Sequence, residues 1–327
     1  MSGITVLSSG AWGCALAVLL HKNGRNVRVW SYSKDEAEAI NTYGENKAFL
    51  PGVPIPKDIL VTNDISRAAK GAGFFIMAAP TAFARATLKL FKPYFTEQTV
   101  IISASKGFEE GTLYRMSEVI ASETPAQIAV LSGPSHAEEA AVGVPTTVVA
   151  AGEESVAKRV QDLFMSQTFR VYTSADIIGV EVGGALKNVI ALGAGISDGL
   201  GFGDNTKAAI MTRGIAEIAR LGIGLGAVPQ TFAGLAGIGD LIVTCGSTHS
   251  RNRRAGILIG QGMALEDALL KIGATVEGVN SAKTALCIAK RTGVETPITM
   301  EVNNVLFHGK DAGQAVFDLM VRDKTKE

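Results

Sequence analysis

Residues 4–13 read Ile4-Thr5-Val6-Leu7-Ser8-Ser9-Gly10-Ala11-Trp12-Gly13. An apolar, β-branched run breaks off into small residues, and a helical pattern over 12–22 follows at once. That is a strand, a tight turn and a helix, with the spacing of the G-x-G-x-x-G fingerprint of a Rossmann-type unit. Such a turn points backbone N–H groups at a pyrophosphate. Gly10 permits its close approach, and Gly13 permits the helix to lie against the strand. Ser8 stands where the first glycine is expected. A side chain disfavours positive φ. Ser8 therefore predicts either an allowed turn or local strain, and weaker dinucleotide binding than a glycine would give.

Outward from that turn, short apolar runs at 27–30, 59–62, 74–78, 100–103 and 128–131 read as further buried strands. Helical spacing at 83–91 and 113–122 alternates with them. Two more strands, 147–151 and 169–173, flank a helix over 154–164. Alternation on this scale predicts βαβ units and a mainly parallel sheet. Beyond about residue 178 strand-like runs largely vanish. Helical spacing takes over at 183–196, 207–220, 254–261, 265–272, 281–292 and 300–307. The expected fold is an α/β, Rossmann-type domain over 1–178 followed by an all-helical domain over 179–327. Residues 322–327 read as a frayed, charged tail.

Composition narrows the function classes. The chain has 327 residues, with 31 Lys plus Arg against 31 Asp plus Glu. A balanced charge lacks the global footprint of a nucleic-acid or polybasic membrane binder. No apolar run approaches the ~20 residues of a membrane span, and no signal peptide is read at the N-terminus. Cys14, Cys245 and Cys287 form no framework, which suits reduced thiols in the cytoplasm. His21, His136, His249 and His308 fall in no metal-ligand spacing, so no metal is expected. His136, beside Ser135, is the imidazole best placed for acid/base work. Glycine is in excess, 37 of 327 residues, against a usual ~7%. A homodimer is the default assembly.

After the second strand come Ser31, Tyr32, Ser33 and Lys34. The carboxylate that NAD-selective sites use for the ribose is missing there. Hydroxyls and a lysine suit a 2′-phosphate, so NADP(H) is expected, with NAD(H) as the alternative or additional cofactor; the same residues also read as an exposed turn. Ser105-Lys106-Gly107 and Ser132-Gly133-Pro134-Ser135 each follow a strand at the edge where open sheets bind ligands. Lys187 lies in Gly183-Gly184-Ala185-Leu186-Lys187-Asn188, amid apolar neighbours. A buried lysine has a depressed pKa and becomes an acid/base group; a lysine snorkelling to water is the plainer alternative. Gly237-Ile238-Gly239-Asp240 offers a carboxylate to orient it, or simply a helix cap. Ser250-Arg251-Asn252-Arg253-Arg254 opens a helix and reads as a phosphate receptor or as a solvated basic turn. Glu277 alone has a bland surface reading.

Taken together, SSGAWG, NKAFLPGV, ASKGFEEGT, SGPSHAEEAA, VGGALKNVIALGAGISDGLGFGDN, GIGDLIVTC and SRNRR resemble the bacterial NAD(P)-dependent glycerol-3-phosphate dehydrogenases. They span residues 6 to about 280. The resemblance implies reversible reduction of dihydroxyacetone phosphate to glycerol 3-phosphate, feeding phospholipid synthesis. It implies Lys187 as the proton acceptor in alcohol oxidation and Lys106 as a substrate-orienting lysine also near the cofactor. It implies substrate contacts from Gly133, Ser135, Asp240, Ser250, Arg251 and Asn252. Gly10, Ala11, Trp12, Gly13, Tyr32, Ala137, Thr275 and Glu277 would contact the dinucleotide, with Arg251 near both ligands. Lys106, Lys187, Arg251, Arg253 and Arg254 are thus expected around one small phosphate, with Asp240 as counterweight. Two competing readings are a 3-hydroxyacid dehydrogenase, with Arg251 clamping a carboxylate, and a non-catalytic NAD(P)H-binding sensor.

Overall fold

The computed structural model describes residues 3–323. The expected tail beyond Asp323, residues 324–327, lies outside the described residues. The chain opens with β1 (Gly3–Val6), α1 (Ala11–Lys22), β2 (Val27–Trp30) and α2 (Lys34–Tyr43). A small antiparallel ribbon of β3 (Glu45–Asn46) and β4 (Leu50–Pro54) follows. Then come β5 (Leu60–Thr62), α3 (Ile65–Ala69), β6 (Ala72–Met77), α4 (Thr81–Phe91), β7 (Val100–Ser103) and α5 (Met116–Glu123). The sheet is completed by β8 (Gln127–Ser132), α6 (Ala137–Val142), β9 (Thr146–Gly152), α7 (Glu154–Phe164) and β10 (Phe169–Ser174).

Eight strands form one sheet in the order β10-β9-β8-β7-β6-β1-β2-β5. Every neighbouring pair is parallel except β8 with β9. The strands are almost continuous runs of Val, Ile and Phe because helices cover both faces. One apolar layer joins α1, α6 and α7 to the sheet, and another joins α3, α4 and α5. β1 sits between β6 and β2, so the chain runs outward in opposite directions from it. That switch point, at the carboxyl ends of the strands, is where open sheets bind ligands.

Ser174 ends the last strand, and the rest of the described chain is helical: α8 (Ile177–Gly199), α9 (Asp204–Gly224), α10 (Asp240–Gly246), α11 (Arg251–Gly260), α12 (Leu265–Ile272), α13 (Glu277–Thr292), α14 (Pro297–Phe307) and α15 (Ala312–Met320). The molecule is thus a mainly parallel, Rossmann-like N-terminal domain with a helical C-terminal domain. By length and composition α8 is apolar enough to cross a membrane, contrary to expectation, yet 83% of its most apolar window is buried inside the protein. The sequence pattern also missed α2, the ribbon and α15. The helix expected from residue 113 starts only at Met116. Leu113 has φ +62°, and Arg115 forms a bridge with Phe108 instead.

Glycine decides how α8 meets α11. A Cβ on Gly195 would lie 2.1 Å from the Arg253 carbonyl oxygen, and one on Gly256 2.3 Å from that of Leu192. Gly199 and Gly260 repeat the pattern one turn on, each with a clash at 2.3 Å. The helices therefore touch backbone to backbone. This brings the start of α11 beside Lys187 and Asn188.

Candidate active site

Four segments converge at the carboxyl edge of the sheet. Lys106 comes from the loop after β7 and Gly133 from the loop after β8. Lys187 lies midway along α8, and Asp240 opens α10. A π-helical turn, Leu235–Gly239, aims Asp240 inward. Gly237 is required there, since a Cβ would lie 2.2 Å from the Phe232 carbonyl oxygen. Gly183 makes room for the same turn, a Cβ on it falling 2.3 Å from the Ala236 oxygen.

Asp240 is wholly buried. Its Oδ2 accepts a hydrogen bond from Lys106 Nζ at 2.7 Å, and its Oδ1 accepts one from Lys187 Nζ. Lys187 also donates to Thr244 Oγ1 at 2.7 Å, and Lys106 to the Gly133 carbonyl at 3.0 Å. Two ammonium groups thus share one carboxylate. Burial drives the Lys187 pKa down, Asp240 partly restores it, Lys106 lowers it again, and it comes to rest at about 7. Burial alone would raise Asp240, but the charges of Lys106 and Lys187 outweigh it and hold the carboxyl below its usual value. Lys187 does not snorkel.

Gly133 has φ +142°, and a Cβ there would lie 3.0 Å from Val148 Cα. Its carbonyl accepts from both Lys106 and the Ser135 hydroxyl, the latter at 2.9 Å. At the start of α11, Ser250 is an N-cap whose Oγ accepts from the Arg253 N–H at 3.2 Å. Asn252 donates to Asn188 Oδ1 and accepts from the Gly278 N–H, both at 2.9 Å, so it locks α8, α11 and α13 together. Arg251 stands exposed at the first turn. Arg253 does not join it. Its guanidinium pairs with Asp198 at 2.7 Å, and Lys207 holds the same carboxylate. Arg254 is exposed on the outer surface of the helix.

At the glycine turn Ser8 is unstrained, since Leu113 alone among the described non-glycine residues has a positive φ. The Ser8 hydroxyl accepts the Gly10 N–H at 3.1 Å. Of the two alternatives the sequence left for Ser8, the structure adopts the allowed turn. Gly13 has the packing duty expected of it: a Cβ would lie 2.1 Å from the Ser8 carbonyl oxygen. The first turn of α1 carries no side-chain cap and no acidic residue. Ala11 and Trp12 rest half-buried on the core, and the Trp12 Nε1–H is buried without a partner among the described residues. An uncapped helix start with free donors fits the pyrophosphate of a dinucleotide.

Tyr32 is 86% exposed beyond β2, its ring edge-on to Trp30 at 6.3 Å. A carboxylate does come near, from farther along the chain than expected. Glu36 accepts from Ser31 Oγ at 3.3 Å and from Asn46 Nδ2 at 3.1 Å. Asn46 also donates to the Ser9 carbonyl at 2.7 Å, so this network braces the glycine turn. Ala137 is buried at the first turn of α6, and Thr275 is exposed. Glu277 is not the surface residue its sequence suggested. It reaches from α13 to cap α4, accepting from Thr81 N at 3.3 Å and Thr81 Oγ1 at 3.0 Å, and burial raises its pKa. Sequence reasoning overlooked Thr81 and Thr244, whose short polar side chains carry no motif of their own.

Residues 3–157 match the family model for the NAD-dependent glycerol-3-phosphate dehydrogenase N-terminus, and residues 176–317 match that for the C-terminus. The chain belongs to the NAD-dependent glycerol-3-phosphate dehydrogenase family. A glycerol-3-phosphate dehydrogenase [NAD(P)+] of Fusobacterium nucleatum is 51% identical over 100% of this chain and 99% of its own. One from Moorella thermoacetica is 53% identical over 99% of this chain and 97% of its own. The crystal structure of a glycerol-3-phosphate dehydrogenase from Coxiella burnetii superposes with a TM-score of 0.95. It is 36% identical and covers 98% of this chain and 99% of that one. Within this dehydrogenase family, the two matched models flank the junction of sheet and helices described above.

Proposed function

We propose that this chain is an NAD(P)-dependent sn-glycerol-3-phosphate dehydrogenase, interconverting dihydroxyacetone phosphate and glycerol 3-phosphate. The observation that carries the reading is the buried Lys187–Asp240–Lys106 trio at the switch-point edge of the sheet. When bound, the reduced dinucleotide supplies the hydride that adds to the substrate carbonyl carbon. The oxygen gains charge as that bond forms. Protonated Lys187 gives it a proton, and neutral Lys187 takes one back in alcohol oxidation. A pKa of about 7 suits both directions. Lys106, paired with Asp240, steadies the oxygen electrostatically. Arg251, Ser250, Asn252 and the N–H groups opening α11 grip the phosphate, and Gly133 with Ser135 lines the other wall. That grip positions the reacting carbon.

Gly10, Ala11, Trp12 and Gly13 would hold the pyrophosphate, with Tyr32, Ala137, Thr275 and Glu277 along the rest of the dinucleotide. Tyr32, Ser33 and Lys34 favour NADP(H), because Glu36 is already committed to Ser31 and Asn46. A cytoplasmic homodimer supplying phospholipid synthesis completes the proposal. The deciding experiment follows NADPH oxidation with dihydroxyacetone phosphate. Turnover that also requires the phosphate supports it; equal use of a 2-oxo or 3-oxo acid favours the hydroxyacid reading, and binding without turnover the sensor.

A further inference from the structure

Asn46 ends the short strand β3 and is buried beside the glycine turn. Its carboxamide is fully engaged. Nδ2 donates to the Ser9 carbonyl at 2.7 Å and to Glu36 Oε1 at 3.1 Å, and Oδ1 accepts the Phe49 N–H at 3.1 Å. The other carboxylate oxygen of Glu36, Oε2, accepts from the Ser31 hydroxyl at 3.3 Å. Ser31 is itself fixed, since its Oγ accepts from Ser9 Oγ at 2.9 Å and from the Ser33 N–H at 3.2 Å. Both oxygens of a half-buried carboxylate are therefore tethered, one to a buried amide and one to a buried hydroxyl. Ser31 directly follows β2, about 20 residues past the glycines, where NAD-selective sites carry their ribose carboxylate. Glu36 thus brings a carboxylate to within one hydroxyl of that place, with its oxygens spent on protein partners.

A free carboxylate there has opposite effects on the two dinucleotides. It accepts from the ribose 2′-hydroxyl of NAD(H) and repels the 2′-phosphate of NADP(H). The choice between them then depends on what restrains Glu36. We propose that Asn46 is the positioning residue for dinucleotide choice: it keeps Glu36 directed at the glycine turn, away from the ribose, and thereby admits a 2′-phosphate beside Ser33 and Lys34. This rests on the dinucleotide site of the function proposed above and deepens it. An amide suits the task because it donates to the carboxylate without adding charge. The ribbon of β3 and β4 gains a purpose from it, since β3 carries the amide that restrains Glu36.

The test measures Kd for NADPH and for NADH by fluorescence titration, with no ketone present. The native chain is expected to bind NADPH more tightly. Asn46→Ala frees Oε1 of Glu36 and should weaken NADPH binding at least ~10-fold by repulsion of the 2′-phosphate. NADH binding should stay within ~3-fold or tighten, because a freed carboxylate accepts from the 2′-hydroxyl. Adding Glu36→Gln removes the charge, so the double variant should return NADPH affinity to within ~3-fold of Glu36→Gln alone. An amide that merely props the glycine turn predicts otherwise: both dinucleotides lose equally, and Glu36→Gln rescues neither. That result, an unchanged NADPH/NADH ratio in Asn46→Ala, or a native chain that prefers NADH overturns the assignment. Melting temperatures identify the variants that fold. Should Asn46→Ala not fold, Ser31→Ala cuts the other tether of the same carboxylate and undergoes the same comparison, with the same outcomes for and against. Tight NADPH binding without turnover of dihydroxyacetone phosphate overturns the proposed reaction and leaves this inference standing. Binding of neither dinucleotide overturns both.

Discussion

At the scale of single residues the controlling fact is one carboxylate between two lysines. Asp240 cannot fully compensate both ammonium groups, so the more buried one, Lys187, sits at the edge of neutrality. Lys187→Ala should lower kcat by about 10²–10⁴, with NADPH affinity nearly unchanged; near-normal turnover would reject the general acid/base role. The pH dependence has a definite sign. Oxidation of glycerol 3-phosphate needs neutral Lys187, so kcat/KM should rise with pH through about 7. Reduction needs the protonated form and should fall through the same range. Asp240→Asn removes the charge that holds the proton on Lys187, so the surviving inflection should move to lower pH. Initial rates in both directions across the pH range check this. The trio was half legible in the sequence. Apolar neighbours announced a buried Lys187, and glycines flagged Asp240. That one carboxylate serves both lysines follows only from the convergence of the β7 loop, α8 and α10.

At the scale of elements, close approach explains much of the glycine. Gly195→Ala or Gly256→Ala pushes a methyl group into a facing carbonyl, at 2.1 Å and 2.3 Å. Each should cost about 1–3 kcal/mol, read as a lower denaturant midpoint, and should weaken substrate binding because α11 carries Arg251. Gly13→Ala drives α1 off β1 and should abolish dinucleotide binding, measured by fluorescence titration with NADPH. The strands and the glycine turn could be read from the sequence because strands covered on both faces are short continuous apolar runs and the turn chemistry is local. The basic run at 251–254 could not. In sequence it is uniform, but about 100° of rotation per residue puts Arg251 and Arg253 nearly opposite. One stands exposed at the cleft, while the other is claimed by Asp198. The ribbon of β3 and β4 also left little trace, being only a few residues of polar and Pro/Gly sequence.

At the scale of the molecule, a half-buried and a buried carboxylate of the helical part, Glu277 and Glu181, reach across to the helix starts of the α/β part. Glu277 caps α4 through Thr81. Glu181 accepts from Ser117 N at 2.7 Å and Ser117 Oγ at 2.6 Å, and pairs with Arg115 at 2.7 Å. Glu181→Ala leaves the Ser117 N–H and hydroxyl without their acceptor and Arg115 with Glu118 alone, and should cost about 1–3 kcal/mol, seen as a lowered melting temperature with the chemistry otherwise preserved. Neither carboxylate betrayed its role in the sequence, since each acts on a partner far along the chain. The shared carboxylate has a final consequence for proton inventory. A phosphate dianion arriving beside Lys187 adds the negative charge that Asp240 alone cannot provide, and so increases the affinity of Nζ for a proton. Ligand capture near neutral pH should therefore be accompanied by proton uptake, so that the ketone loads the acid that will protonate its oxygen. Calorimetric titrations in buffers of different ionisation enthalpy would register this as a buffer-dependent binding heat, abolished in Lys187→Ala.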